Sequence, residues 1–184
     1  MISDDDIGQA AKSKDSALSK DRLRAIFLDF DGVLHPPRAI AGAKPPLTPQ
    51  QVMQGWPETF QHLPVLAEIL QGHPDIVVVV SSSWRMYLTD AQLGELLEPI
   101  RAWYAGSIGS AHLGRDIAIT NWLNLNNISD FVVLDDVQLF FPGKWPTLIL
   151  CESSTGISDI HVQSRLRAWV KTPKNERTSL SINS

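Results

Sequence analysis

Ala25-Ile26-Phe27-Leu28-Asp29-Phe30-Asp31-Gly32-Val33-Leu34 is an apolar run that stops at two carboxylates placed two residues apart, with a glycine next. The run is continuous rather than alternating, which fits a strand covered on both faces, as in a parallel sheet. Residues i and i+2 of an extended segment share a side, so Asp29 and Asp31 can face one crevice. Gly32 permits the sharp turn that follows. In open α/β sheets, ligands bind beyond the carboxyl ends of the strands, where these acids lie. Two close carboxylates repel strongly at low dielectric unless a cation or a shared proton compensates. Mg²⁺, a hard ion that prefers oxygen ligands, is the natural compensator. A solvated turn with two capping aspartates is the plainer alternative.

The same kind of run recurs along the chain. Ile76–Val80, Phe131–Leu134 and Thr147–Leu150 are short, apolar and rich in β-branched residues, and Trp103–Ile108 is a weaker fifth candidate. Helical patterns fill the gaps. Leu63, Leu66, Ala67 and Leu70 form one stripe, ended by Gly72. Thr89-x-x-Gln92 is a capping box, and Leu93, Leu96, Leu97 and Ile100 share a face after it. A helix from Arg115 presents Ile117, Ala118, Trp122 and Leu125, and another follows Gly156 with Ser158 as N-cap and Val162, Leu166, Trp169 and Val170 as its stripe. Strands alternating with helices predict an α/β sandwich with a mostly parallel, five-stranded sheet.

The 184 residues fit one domain. Residues 1–20 and 173–184 are polar and read as flexible tails, leaving 21–172 as the folded domain. Within it, the proline-rich stretch 35–64 reads as a long loop or flap directly after the first strand. Sixteen basic against twenty acidic residues give a net charge of −4, which does not advertise a nucleic-acid or anionic-membrane surface. The single Cys151 excludes an internal disulfide and reads as a small buried hydrophobe, and the five histidines show no zinc-type spacing. No apolar run approaches the roughly 20 residues of a bilayer span, and the acidic start of the chain lacks the features of a signal peptide. The reading is of a soluble, cytoplasmic protein with no membrane partner.

Three further segments carry candidate chemistry. Val132-Val133-Leu134-Asp135-Asp136 ends a second buried strand in acids, and neighbouring parallel strands would bring them to the rim that holds Asp29. Four acids from two strand ends need a metal. Ile76–Val80 runs into Ser81-Ser82-Ser83-Trp84-Arg85, where hydroxyls and free backbone N–H groups make a phosphate cradle. Either Ser81 or Ser82 fits as the phosphate ligand. Trp84 and Arg85 are candidates to line a substrate entrance, with core packing the other reading of Trp84. Arg115, at the start of its helix, sits where the helix dipole favours acids, so an anion in the crevice would explain it.

In that order, LDFDGVL, VVVVSSSWR, GRDIAITNWL and VVLDD resemble the four motifs of the haloacid dehalogenase-like (HAD) superfamily of phosphohydrolases. SSSWR followed by R-x-x-x-I-x-x-W-L is also similar to small HAD domains found alone or fused to RNA-repair enzymes. The resemblance implies a Rossmann-like three-layer fold and a Mg²⁺-dependent phosphomonoesterase. Asp29 would be the nucleophile that forms an aspartyl-phosphate. Asp31 would be the general acid and base, with its backbone carbonyl on Mg²⁺. Ser81 or Ser82 and Arg115 would hold the phosphoryl group, and Asp135 and Asp136 would complete the metal site. An aspartate at position 31 argues against carbon–halogen hydrolysis, since dehalogenases of the superfamily lack it.

Capped relatives insert a domain after the first motif or between the second and third. Here the span from Ser82 to Arg115 has room for one helix and a strand, so the cap is minimal or missing. An open crevice suits a bulky phosphorylated substrate, and the RNA-repair resemblance points to phosphorylated nucleic-acid ends, although the acidic charge does not. A HAD-like binding or regulatory module without turnover is the alternative. Neither the substrate nor the oligomeric state is written in these motifs.

Overall fold

The apolar runs become strands within about a residue of their expected limits. β1 spans Arg24–Leu28, β2 Ile76–Val80, β3 Tyr104–Ser107, β4 Phe131–Asp135 and β5 Leu148–Leu150. They form one parallel sheet in the order β3-β2-β1-β4-β5. The computed structural model describes residues 23–37, 48–56, 58–109 and 112–172, so the expected tails lie outside the described residues.

Both faces of the sheet are covered, which is why its strands lack polar alternation. Ile26, Leu28, Val78, Val80, Val132 and Leu134 pack on one side with Leu66, Leu93, Leu97 and Leu166. Ala25, Phe27, Val79, Val133 and Leu148 pack on the other with Ala118, Ile119 and Leu123. The result is the expected α/β three-layer sandwich. Its helices are α1 (Pro49–Gly55), α2 (Leu63–Leu70), α3 (Asp90–Leu96), α4 (Arg115–Asn126) and α5 (Ile160–Lys171). α3 opens on the reciprocal Thr89–Gln92 capping box, and the described residues between Ser82 and Arg115 hold no cap domain.

Three local expectations need correction. The stretch 35–64 is not loop throughout, because α1 forms inside it. Thr48 and Gln51 cap that helix reciprocally, and Pro49 occupies its first turn, where a missing N–H costs nothing. Residues 38–47 of the expected flap lie outside the described residues. The N-cap of α5 is Asp159, which accepts from the amides of His161 and Val162, while Ser158 belongs to the preceding 3₁₀ turn. In α4 the buried residues are Ala118, Ile119 and Leu123, whereas Ile117 and Leu125 are exposed. Apolar residues on two sides of that helix support two rotational settings, and its docking onto Phe27 and Val133 selects one.

Strand register sets the level of the site. Leu28 pairs with Val80 on one side and Leu134 on the other, so the three central strands end together. The Ser81 amide donates to Leu28 O (2.9 Å) and the Asp29 amide to Leu134 O (3.0 Å), which carries the ladder one residue further. Between β1 and β4 the chain reverses its direction of travel across the sheet. A crevice opens at such a switch point.

The turn after β1 is braced from below. Ile157 donates its amide to Val33 O (2.9 Å), and Gly156 approaches so closely that an added Cβ would lie 2.2 Å from that same oxygen. Gly156 also has a φ of +54°, which L side chains rarely adopt. Gly156→Ala is therefore expected to cost about 2–3 kcal/mol of stability, measurable by chemical denaturation against the native chain.

Candidate active site

The acids at the ends of β1 and β4 converge. Asp29, Asp135 and Asp136 each offer a carboxylate oxygen, and these atoms all lie within 4.8 Å of one another. Asp29 is 4% exposed and Asp135 fully buried. Asp29 extends the odd-numbered face of β1, which carries it toward α4, where Arg115 opens the helix without a side-chain N-cap. Nη1 of Arg115 donates to Asp29 Oδ2 at 2.7 Å and also to Asp135 Oδ2. The guanidinium stacks over Phe140, 4.5 Å from the ring centre.

Further oxygens of these acids are also held. The Phe30 amide donates to Asp29 Oδ1 (2.8 Å), and the Val137 amide donates to Asp135 Oδ1 (2.9 Å). Ser153 donates its hydroxyl to Asp136 Oδ2 at 2.7 Å. Gly32 leaves room for Asp136, since a Cβ there would sit 2.1 Å from Asp136 Oδ2. Gly32 thus serves close approach between the β1 and β4 loops as well as the turn.

Electrostatics follow from this crowding. Burial pushes the Asp29 carboxyl above its ordinary range, and the Arg115 charge pulls it back only in part. Asp135 is raised to about 7, by burial first and by the Asp29 charge second. For Arg115, burial opposes ionisation, but the two carboxylates outweigh it and hold the guanidinium charged. Three clustered carboxylates supply only hard oxygen donors, and one arginine does not balance them. That donor set fits Mg²⁺.

The serine run lies alongside. Ser82 Oγ accepts from the Trp84 amide (3.4 Å), and its hydroxyl hydrogen-bonds Asp29. Ser81 is fully buried, and its Oγ has no partner among the described residues. Arg85 turns Nη1 back onto the carbonyls of Ser81 (2.8 Å) and Ser82 (2.7 Å), which tightens the loop. Burial lowers its pKa, as does the charge of Arg115, while Asp29 acts in the opposite sense.

Two sequence expectations change here. Trp84 does not line an entrance. It is 3% exposed and packs against Phe30, Phe60 and His35. The Asp31 carboxylate does not join the acid cluster. It accepts from Trp84 Nε1 at 2.8 Å, with His35 Nε2 3.3 Å from its other oxygen. His35 has no metal-ligand spacing to mark it in the sequence. Its position four residues after Asp31 was the available signal. Ser153 and Phe140 reach the site from other loops and carry no motif.

The raised Asp135 pKa has a consequence for stability. Below about pH 4 both the folded and the unfolded chain hold this proton, but between pH 4 and 7 only the folded chain keeps it. This contribution to stability is therefore lost as pH rises through about 7. Without divalent cations, the melting midpoint of Asp135→Asn relative to the native protein is expected to shift upward from pH 5 to pH 8, as read by thermal scans in chelator.

A family model described as the HAD domain in Swiss Army Knife RNA repair proteins matches residues 25–162, three-quarters of the chain. Among curated proteins and solved structures, none matches. That span runs from the first strand of the sheet into α5 and takes in Asp29, Arg115, Asp135 and Asp136. The chain belongs to the family of HAD domains found in Swiss Army Knife RNA repair proteins.

Proposed function

We propose that the protein is a Mg²⁺-dependent phosphomonoesterase that works through an aspartyl-phosphate and acts on the phosphorylated end of a bulky substrate. The observation that carries this reading is the convergence of Asp29, Asp135 and Asp136 at one strand-end crevice, with Arg115 bridging two of them. An acid cluster made for structure alone would cost stability for nothing in return. Paired with a cation and a phosphoryl group, the same cluster becomes a device for charge neutralisation.

The side chains divide the work. Asp29 attacks phosphorus, so an Asp29–phosphorus bond forms as the bond to the leaving oxygen breaks. Asp31 gives its proton to that oxygen, then takes one from the water that cleaves the acyl phosphate. Arg115 turns from the carboxylates toward the phosphoryl oxygens as negative charge builds there. Ser82, whose hydroxyl reaches Asp29, and Ser81, whose buried Oγ has no partner among the described residues, are the two candidates to donate to a phosphoryl oxygen. Asp29, Asp135, Asp136 and the backbone carbonyl of Asp31 would hold Mg²⁺. When bound, the ion supplies Lewis-acid stabilisation of the phosphoryl charge and screens Asp29 from it.

The size of the substrate follows from what covers the site. Among the described residues between Ser82 and Arg115 there are one short α-helix, two 3₁₀ turns and an edge strand, too little to enclose a small metabolite. RNA repair appears in the description of the family, so phosphorylated nucleic-acid ends are the substrate class to try first. A chain of net charge −4 would then lean on its partner or on a local surface to hold the polyanion.

Hydrolysis of p-nitrophenyl phosphate is expected with Mg²⁺ and not with chelator. Asp29→Asn should abolish it, and Arg115→Ala should lower kcat by about 10²–10³-fold. Metal-independent turnover, or an active Asp29→Asn protein, would remove the mechanism. Mg²⁺ binding by calorimetry without turnover of 3′- or 5′-phosphorylated oligonucleotides, nucleotides or sugar phosphates would make the protein a binding module instead.

A further inference from the structure

We infer that His35 and Trp84 are positioning residues which clamp the Asp31 carboxylate in the orientation needed to protonate the leaving oxygen. The inference rests on the phosphomonoesterase reading above. Trp84 Nε1 donates to Asp31 Oδ2 at 2.8 Å, and His35 Nε2 stands 3.3 Å from Oδ1. Both oxygens are thus engaged by ring nitrogens, which fixes the rotation of the carboxylate as well as its position. The Asp31 side chain remains about a quarter exposed, so the clamp does not seal the carboxyl from what enters the site.

The clamp is itself braced. His35 is 3% exposed, and its Nδ1 accepts from the Phe60 amide at 3.4 Å. With Nδ1 an acceptor, the ring proton resides on Nε2, the nitrogen facing Asp31. Phe60 holds that amide in place from a φ of 59°, a left-handed conformation uncommon for a bulky residue. Strain of this kind persists only where the surroundings impose it, and it gathers at functional sites. Rings then fill the space behind the acid. Phe30 meets Phe60 edge-on at 4.9 Å and Trp84 at 5.4 Å, and His35 lies 5.4 Å from Phe60 and 5.5 Å from Trp84. Four aromatic rings behind one carboxylate, with two of their nitrogens on its oxygens, form an orienting device as well as a core.

An orienting role for the acid has a signature that packing lacks. A nitrophenolate leaves readily without a proton, whereas an alkoxide does not, so in the phosphoryl-transfer step only alkyl esters depend on a well-aimed Asp31, while the water-activating step that follows is common to both esters. The test compares p-nitrophenyl phosphate with glycerol phosphate in the native protein, Trp84→Phe, His35→Ala and His35→Gln, with Asp31→Asn as reference. Trp84→Phe keeps a ring and loses the N–H. It is expected to lower the first-turnover rate of phosphoryl transfer from the alkyl ester by about 10²-fold while first-turnover release of nitrophenolate from the aryl ester stays near native. His35→Ala should show the same selective loss, and His35→Gln, which can present an N–H to Asp31, should recover part of it. Melting midpoints identify any variant that is unfolded at assay temperature, and the comparison then rests on the folded ones. Parallel loss of the first-turnover rate on both esters, or loss on neither, in folded variants overturns the clamp and leaves the phosphomonoesterase reading standing. A native protein that hydrolyses neither ester overturns both.

Discussion

Asp29 and Asp135 are two buried carboxylates on adjacent strands, and their mutual repulsion is the constraint around which the rest is arranged. The strands end level because Leu28 pairs in register with Val80 and Leu134, so the next residues emerge at one height with nowhere to separate. Arg115 relieves the repulsion from the opposite layer. That contact explains why a cation opens α4 against the helix dipole, and it docks the helix onto the sheet at the point where chemistry is proposed. A hydrophobic sandwich would fold without any of these charges. Their retention at a cost in desolvation is the physical reason to read this edge of the sheet as functional.

The turn after β1 joins three parts of the molecule. Gly32 gives Asp136 room, Val33 accepts from the β5–α5 loop, and Leu34 accepts from the amide of His62 ahead of α2. Asp31 lies within this turn, gripped by Trp84 from the segment after β2 and by His35 from its own. The nucleophile candidate is therefore set by sheet register, and the acid candidate by an aromatic cluster that the loops assemble. These are separate supports, so damage to one need not move the other.

Much of this was legible in the chain. Continuous β-branched runs announced buried parallel strands, the Thr89–Gln92 box announced α3, and acids after two of the runs announced a shared rim. Errors arose where local signals were ambiguous. Proline density in 35–64 concealed α1, although Thr48-Pro49-Gln50-Gln51 is a helix start in its own right. The apolar residues of α4 fit two faces, and packing chose between them. Trp84 read equally well as lining or core, because a single tryptophan carries no sign of which side it will occupy.

By itself the sequence determined the fold class, the order of the strands' chemistry and three of the four acids expected at one rim. Those depend on patterns local in the chain, namely period, caps and the residue that follows each strand. Only the tertiary structure decided that Asp31 meets Trp84 and His35, that Ser153 steadies Asp136 and that Phe140 covers Arg115. Each of these contacts except His35–Asp31 joins residues from different loops, 17 to 53 positions apart or seated on separate elements. Such meetings are fixed by how the layers dock, and no short-range pattern encodes them.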